Sequence, residues 1–250
     1  MRIFQTVISV ERFHDVNANV DKEQLLEELA KQCLDAECEL LHLPAGFWSV
    51  REVGEIDGRI QATRRIARRH GLAVVGGIDI SHSKKSKLSK TRRKGPLQSF
   101  GFGIDSAGRC YGENGQWRQL SASRDDATFA SPIDARQRML VVNDSRVAVV
   151  LCGEMHNPAI RRAIAEENPD VILVSGHKSL GQGLVPTLEA FHRATVQVGR
   201  GVAVLHSQHL KGKGASLHMV DARGISHPIP ARANIKVSSP LWAAATIRKT

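Results

Sequence analysis

The sequence is poor in cysteine, in aromatic side chains and in long apolar runs. Its four cysteines in 250 residues are Cys33, Cys38, Cys110 and Cys152. None stands at the two-residue spacing of a metal knuckle, and four are too few for the disulfide framework of a small secreted domain. Reduced thiols in a cytoplasmic protein are therefore expected. No apolar stretch approaches the roughly 18 residues of a membrane helix, so a soluble protein without membrane contact is expected, and Met1–Val10 reads as a first strand rather than a signal peptide. Three tryptophans, one tyrosine and seven phenylalanines give little material for stacking on single-stranded bases. Of the 11 histidines, only His206 and His209 stand close together, and on a strand they point to opposite faces. No metal and no cofactor is expected.

Charge is unevenly placed. The formal net charge is +10, and seven cations fall in one window without an acid: Lys84, Lys85, Lys87, Lys90, Arg92, Arg93 and Lys94. Removing those seven leaves about +3 for the rest of the chain, so the basicity belongs mainly to one segment. Serines and the Gly95-Pro96 stop mark residues 83–95 as an exposed loop. Arg64/Arg68 and Arg65/Arg69 stand at i,i+4 on a helix pattern close by in sequence, so a surface for nucleic acid or another polyanion is one reading, with a solvated face as the bland alternative.

Strand and helix patterns alternate. Strands are predicted at Ile3–Val10, Glu39–Leu43 and Leu72–Val75, the last closing at Gly76-Gly77. Helices are predicted from Asp21 to about Ala36 and from Ile56 to His70. Gln98–Asp105 with Arg109–Tyr111, and Met139–Val142 with Val147–Leu151, read as hairpins. A helix opened by Pro158, a strand at Asp170–Ser175, a helix over Pro186–Gly199, a strand at Gly201–His206 and a paired piece at Ala215–Val220 follow. The order favours one layered α/β domain over residues 1–250.

The run Arg146-Val-Ala-Val-Val-Leu-Cys-Gly-Glu154 delivers Cys152 from a buried strand into a turn. That arrangement fixes a thiol on a rigid edge and suits a nucleophile. A free cysteine is also among the most buried residue types, and packing alone explains many of them.

Cys152-Gly-Glu-Met-His-Asn-Pro158, then Ile160-Arg-Arg and Pro169-Asp-Val-Ile-Leu173, resembles the cysteine elbow, helix and next strand of the nitrilase, or carbon–nitrogen hydrolase, superfamily. Leu41-His-Leu-Pro-Ala-Gly-Phe47, Leu72-Ala-Val-Val-Gly-Gly77 and Ala215–Gly224 resemble further family segments in the right order. The resemblance implies a four-layer αββα sandwich, a homo-oligomer that is commonly a dimer, and a catalytic glutamate, lysine and cysteine at strand ends.

Two of those three residues are missing. Ala45 stands where the family has its glutamate, and Gln119, in Gln116-Trp-Arg-Gln-Leu120, where it has its lysine; no lysine occurs between Lys94 and Lys178. Loss of a general base costs about 10²–10⁴ in rate and loss of an oxyanion donor about 10²–10³. The leading expectation is a degenerate protein, non-catalytic or with altered activity, that acts by binding or assembly. Its pocket would be lined by Phe47, Trp48, Trp117, Arg118, Gly153, His156 and His177 and would take a small-molecule ligand. The alternatives are an amidase or acyltransferase that uses Cys152 as nucleophile with substitute partners, and a polyanion binder. The substitutes weighed are Arg118 for the cation, Glu154, Asp125 or Asp126 for the carboxylate, and His156 or His177 beside the thiol. For Glu154 and His156, capping and turn-holding are the competing roles.

Overall fold

The computed structural model describes residues 1–8, 16–80, 99–120, 132–177, 183–209, 217–229, 232–233 and 241–246. In chain order the elements are β1 (Arg2–Ile8), α1 (Asn19–Asp35), β2 (Leu40–His42), β3 (Trp48–Val50), α2 (Ile56–His70), β4 (Ala73–Ile80), β5 (Ser99–Ile104), β6 (Cys110–Tyr111) and β7 (Trp117–Arg118). There follow α3 (Pro132–Gln137), β8 (Met139–Val142), β9 (Ser145–Leu151), α4 (Pro158–Glu166), β10 (Val171–Gly176), α5 (Leu184–Gln197), β11 (Ala203–His209), β12 (Leu217–Val220), β13 (Ser226–Ile229), β14 (Arg232–Ala233) and β15 (Leu241–Thr246). The strands join in the order β6-β5-β4-β2-β1-β11-β10-β9-β8.

Period-2 alternation divides this sheet between three cores. Along β9, Val147, Val149 and Leu151 meet Ile3, Leu40, Ala73 and Val75 in a core between the two halves of the sheet. Ala148 and Val150 turn the other way, toward Ile160 and Ile164 of α4 and Leu188 and Phe191 of α5. In the other half, Phe4, Leu41 and Val74 face Leu26 and Leu29 of α1 and Ile60 and Ile66 of α2. Helices, half-sheet, half-sheet and helices thus stack in the four-layer αββα order that the resemblance implies. Strands buried on both faces need apolar residues at odd and even positions alike, and each fully buried Val, Leu, Ile or Phe contributes about 1.5–3 kcal/mol. No helix among the described residues is long and apolar enough to cross a membrane.

Local signals set the element ends. α4 begins at Asn157, whose side chain accepts from the Ala159 and Ile160 amides at 2.9 and 3.3 Å, with Pro158 in the first turn. α2 ends at Gly71 in the left-handed region, with Arg68, Arg69 and His70 in its last turn.

Two elements depart from the sequence expectation. β4 does not close at Gly76-Gly77 but runs on to Ile80, pairing with β5 as far as Asp79↔Ser99. The glycines serve close packing: a Cβ on Gly77 would lie 2.8 Å from the Ala45 Cα. The proline- and alanine-rich tail, which shows no sequence period, supplies β15, antiparallel to β1 from Arg2↔Thr246 to Val7↔Leu241. The basic residues Lys84, Lys85, Lys87, Lys90, Arg92, Arg93 and Lys94, and Asp125 and Asp126, lie outside the described residues.

Candidate active site

Three strand ends converge on Cys152. The thiol follows β9 immediately, as the first residue of a 3-10 turn over Cys152–His156. His177 follows β10, the parallel neighbour of β9, in which Ser175 pairs with Leu151. Asp79 comes from the end of β4 in the opposing half-sheet. The backbone at Cys152 has a φ of 31°, in the left-handed region that L-residues other than Asn and Asp seldom enter. Such strain, of order 1–3 kcal/mol, persists only where the surrounding structure enforces it.

His177 Nε2 lies 2.8 Å from Asp79 Oδ2 and 2.9 Å from Oδ1, and the Asp79 carboxylate also accepts from the Ser99 hydroxyl at 2.8 Å. His177 is the group whose hydrogen bonding and charge lower the Cys152 thiol. The order is carboxylate, imidazole, thiol, in which the carboxylate fixes the ring and the ring fixes the proton.

Electrostatics follow the geometry. Burial pushes the His177 ring toward neutrality, but the Asp79 charge and hydrogen bond, together with Cys152, overcome it and raise its pKa to about 10. Burial pushes the Cys152 thiol up, yet the hydrogen bond and charge of His177 bring it below its ordinary value; Asp79 opposes this more weakly. A raised histidine beside a lowered thiol favours the thiolate–imidazolium pair, the reactive form of a cysteine nucleophile.

Ala45 and Gly46 form the floor beside this set. Ala45 is buried in the inter-sheet core, and its methyl offers no proton acceptor. Gly46 leaves space that Asp79 fills: a Cβ there would stand 2.4 Å from Asp79 Oδ2 and 3.3 Å from His177 Cδ2. The carboxylate beside this set comes from β4, at Asp79.

Trp117 and Gln119 turn inward and are buried, whereas Arg118 between them is exposed. The strand period thus points Arg118 away from the interior, and it does not take the lysine's place. The Gln119 amide donates to the Ser99 carbonyl at 2.8 Å, so Gln119 is tied to the residue that holds Asp79.

Glu154 is fully buried and its carboxylate is saturated. Oε1 accepts from the Leu120 amide at 2.7 Å and from Arg138 Nη2 at 2.9 Å, and Oε2 accepts from the Leu151 amide at 2.9 Å. Arg138, also buried, donates onward to the Asp134 and Arg118 carbonyls. Glu154 is therefore a clamp between the cysteine turn and the Arg118–Leu120 segment, and buried Gly153 lies between it and the thiol. His156 is half-buried, and burial and then Arg161 lower its pKa. Neither residue acts on Cys152 among the groups that shift it.

Phe47 and Trp48 do not reach the thiol. Both lie in the outer core under α1 and α2, packed edge to face at 5.0 Å, and the Trp48 indole donates to Thr63 Oγ1 at 2.9 Å. Sequence reasoning missed Asp79 and Ser99, because both depend on β4 continuing past its glycines. The side chain of His209 lies outside the described residues. No group of three or more His, Cys, Asp or Glu among the described residues is arranged to hold a metal ion.

No family model matches the chain, and no curated protein matches it significantly in sequence. Solved structures do. An amidase from Nesterenkonia sp. matches with a TM-score of 0.65 at 17% identity, over 98% of this chain and 90% of that one. A variant of the amidase from Nesterenkonia sp. AN1 that carries the acetamide moiety of fluoroacetamide on its active-site cysteine matches at 0.64 and 17% identity, over 98% and 90%. A cysteine-to-alanine variant, described as an amidase of the nitrilase superfamily, matches at 0.63 and 16% identity with the same coverage. The chain therefore has the fold of nitrilase-superfamily amidases.

Proposed function

We propose that this nitrilase-fold chain is an active thiol enzyme that cleaves a carbon–nitrogen bond of an amide by acyl transfer, using Cys152, His177 and Asp79. The observation that carries the reading is the hydrogen-bonded series from Ser99 through Asp79 to His177, the group that lowers the Cys152 thiol. A relic cysteine needs no imidazole held by a carboxylate, and a protein acting only by binding or assembly needs no thiol lowered against its own burial.

The Cys152 thiolate attacks the amide carbonyl carbon, forming the C–S bond and moving the carbonyl electron pair onto oxygen. His177 protonates the leaving nitrogen, the C–N bond breaks and a thioester remains. Neutral His177 then takes a proton from water, whose oxygen attacks the thioester carbon. The C–S bond breaks and the acid leaves; another acceptor in place of water makes the same sequence an acyl transfer. Asp79 keeps the ring in one orientation and stabilises its charged form throughout. With the family lysine absent, the oxyanion falls to neutral donors: backbone N–H groups and the Gln119 carboxamide.

The reading is tested by ammonia release from a panel of simple primary amides by the wild-type chain and its Cys152→Ala and His177→Ala variants. Turnover that vanishes with Cys152→Ala and falls about 10²–10⁴-fold with His177→Ala is expected. Wild-type release no faster than that of both variants across the panel, with esters and thioesters equally inert, overturns it.

A further inference from the structure

On the outer side of α2, Arg64, Arg65, Arg68 and Arg69 line an open cleft of about 540 Å³ together with Gln61, and no acidic side chain among the described residues lines it. Glu23 and Glu27 on α1 reach only one row of these cations, Arg65 at 3.5 Å and Arg69 at 3.1 Å. The other row is braced from below. A Cβ on Gly108 would lie 2.4 Å from the Arg68 stem and 3.3 Å from that of Arg64, and Arg64 Nε is buried with no acceptor.

We infer that this cleft docks the phosphate backbone of a double-helical nucleic acid. Each row places two guanidinium forks about 6 Å apart along the helix axis, and such forks bind phosphate oxygens in pairs. The cleft is open and formed by side chains of one helix, which suits a polymer lying across it better than a small anion needing enclosure. The apolar residues of α2, Ile56, Ile60, Ala62, Ile66 and Ala67, are all buried. None is left to enter a bilayer, as an interfacial helix requires. Bases are not stacked, because the arginine face carries no aromatic ring; binding is therefore independent of sequence and sensitive to salt. The net charge of +10 draws polyanions from a distance.

The test is fluorescence anisotropy of a labelled mixed-sequence DNA duplex with the full chain, from about 50 to about 200 mM salt. The Arg64→Gln/Arg68→Gln pair is expected to weaken binding about tenfold or more at low salt and to reduce the log–log salt slope by about 1.8, near 0.9 for each phosphate released. Arg65→Gln/Arg69→Gln, which alters exposed side chains, should act in the same direction and separates binding from folding. A charge-matched control, Arg162→Gln/Arg193→Gln on α4 and α5, should leave the slope unchanged. The proposal is overturned if the duplex does not bind at low salt, if the control pair loses as much as the α2 pairs, or if neither α2 pair changes the slope. Tighter binding of phosphatidylserine vesicles or polyglutamate than of the duplex overturns it as well.

Discussion

Gly46 has no side chain where Asp79 has one: a Cβ on Gly46 would stand 2.4 Å from Asp79 Oδ2, on a backbone with φ at +64°. Gly46→Ala is therefore expected to strain the loop and to push Asp79 off His177. Without its carboxylate the ring loses its main support against burial, and the Cys152 thiol loses its cation. Expected outcomes are a loss of about 1 kcal/mol or more of stability and a fall of at least tenfold in Cys152 alkylation at neutral pH, read by peptide mass spectrometry.

Glu154 and Arg138 make a different kind of prediction. Both are buried and pair at 2.9 Å, and removing one partner of such a pair costs about 3–5 kcal/mol because the other charge stays buried. Glu154→Ala should lower stability by that order in urea titrations. Glu154→Gln, which keeps the shape and most of the acceptor capacity, should cost less and retain Cys152 reactivity. A catalytic carboxylate would show the reverse pattern, with Glu154→Gln stable and inert.

The layers of this fold were legible in the sequence because its strands are apolar and its helices end at strong signals. Val147–Leu151 and Val171–Leu173 read as buried strands, and Asn157-Pro158 and Gly71 as helix boundaries. The turn that carries Cys152 out of β9 was legible for the same reason. The Asp79 carboxylate beside it was not. Gly76-Gly77 reads as a strand stop, whereas its lack of Cβ atoms serves close packing against Leu43 and Ala45. Reading β4 as ended removed Asp79 from view, and with it the partner that distinguishes His177 from His156. Phe47 and Trp48 were misplaced in the pocket by chain proximity to Ala45; both pack in the core under α1 and α2, Trp48 as the first residue of the 3-residue strand β3. Long-range pairings such as Asp79 with His177, 98 residues apart, have no local signature.

Buried histidines set an acid limit on stability. Burial pushes His206 down to about 3, with further contributions from His218 and His156, and His42 well below its ordinary range, with a further contribution from His206. The unfolded chain takes up these protons near pH 6.5 and the folded chain does not. Their stabilisation is complete above about 6.5 and is lost as pH falls toward the folded values, at about 1.4 kcal/mol per pH unit per histidine. Urea titrations between about pH 6.5 and about pH 5, above the carboxylate range, should show this slope, and His206→Gln should reduce it by about one proton. An unchanged slope in the variant contradicts the assignment.

Gln119 tests how the oxyanion is held. Gln119→Ala removes the carboxamide but keeps the backbone bond to Ser99. It is expected to lower kcat for amides about 10²-fold while leaving the pH profile of Cys152 alkylation in place. A drop in alkylation to match the drop in kcat would make Gln119 a support of the thiol rather than a donor to the substrate.

The central claim is that Cys152 is a thiol activated by His177 and Asp79, and the pH dependence of its alkylation tests this most directly. Iodoacetamide labelling is followed at each cysteine in the folded wild type and in Asp79→Asn, with Cys110, whose pKa is raised by burial, as internal comparison. The account predicts that wild-type Cys152 labels with an apparent pKa below the roughly 8.5 of a free cysteine. A second change is expected near pH 10, as His177 loses its proton, and Asp79→Asn should move the first midpoint upward. A Cys152 that labels no more readily than Cys110, or one whose profile Asp79→Asn leaves unmoved, contradicts it.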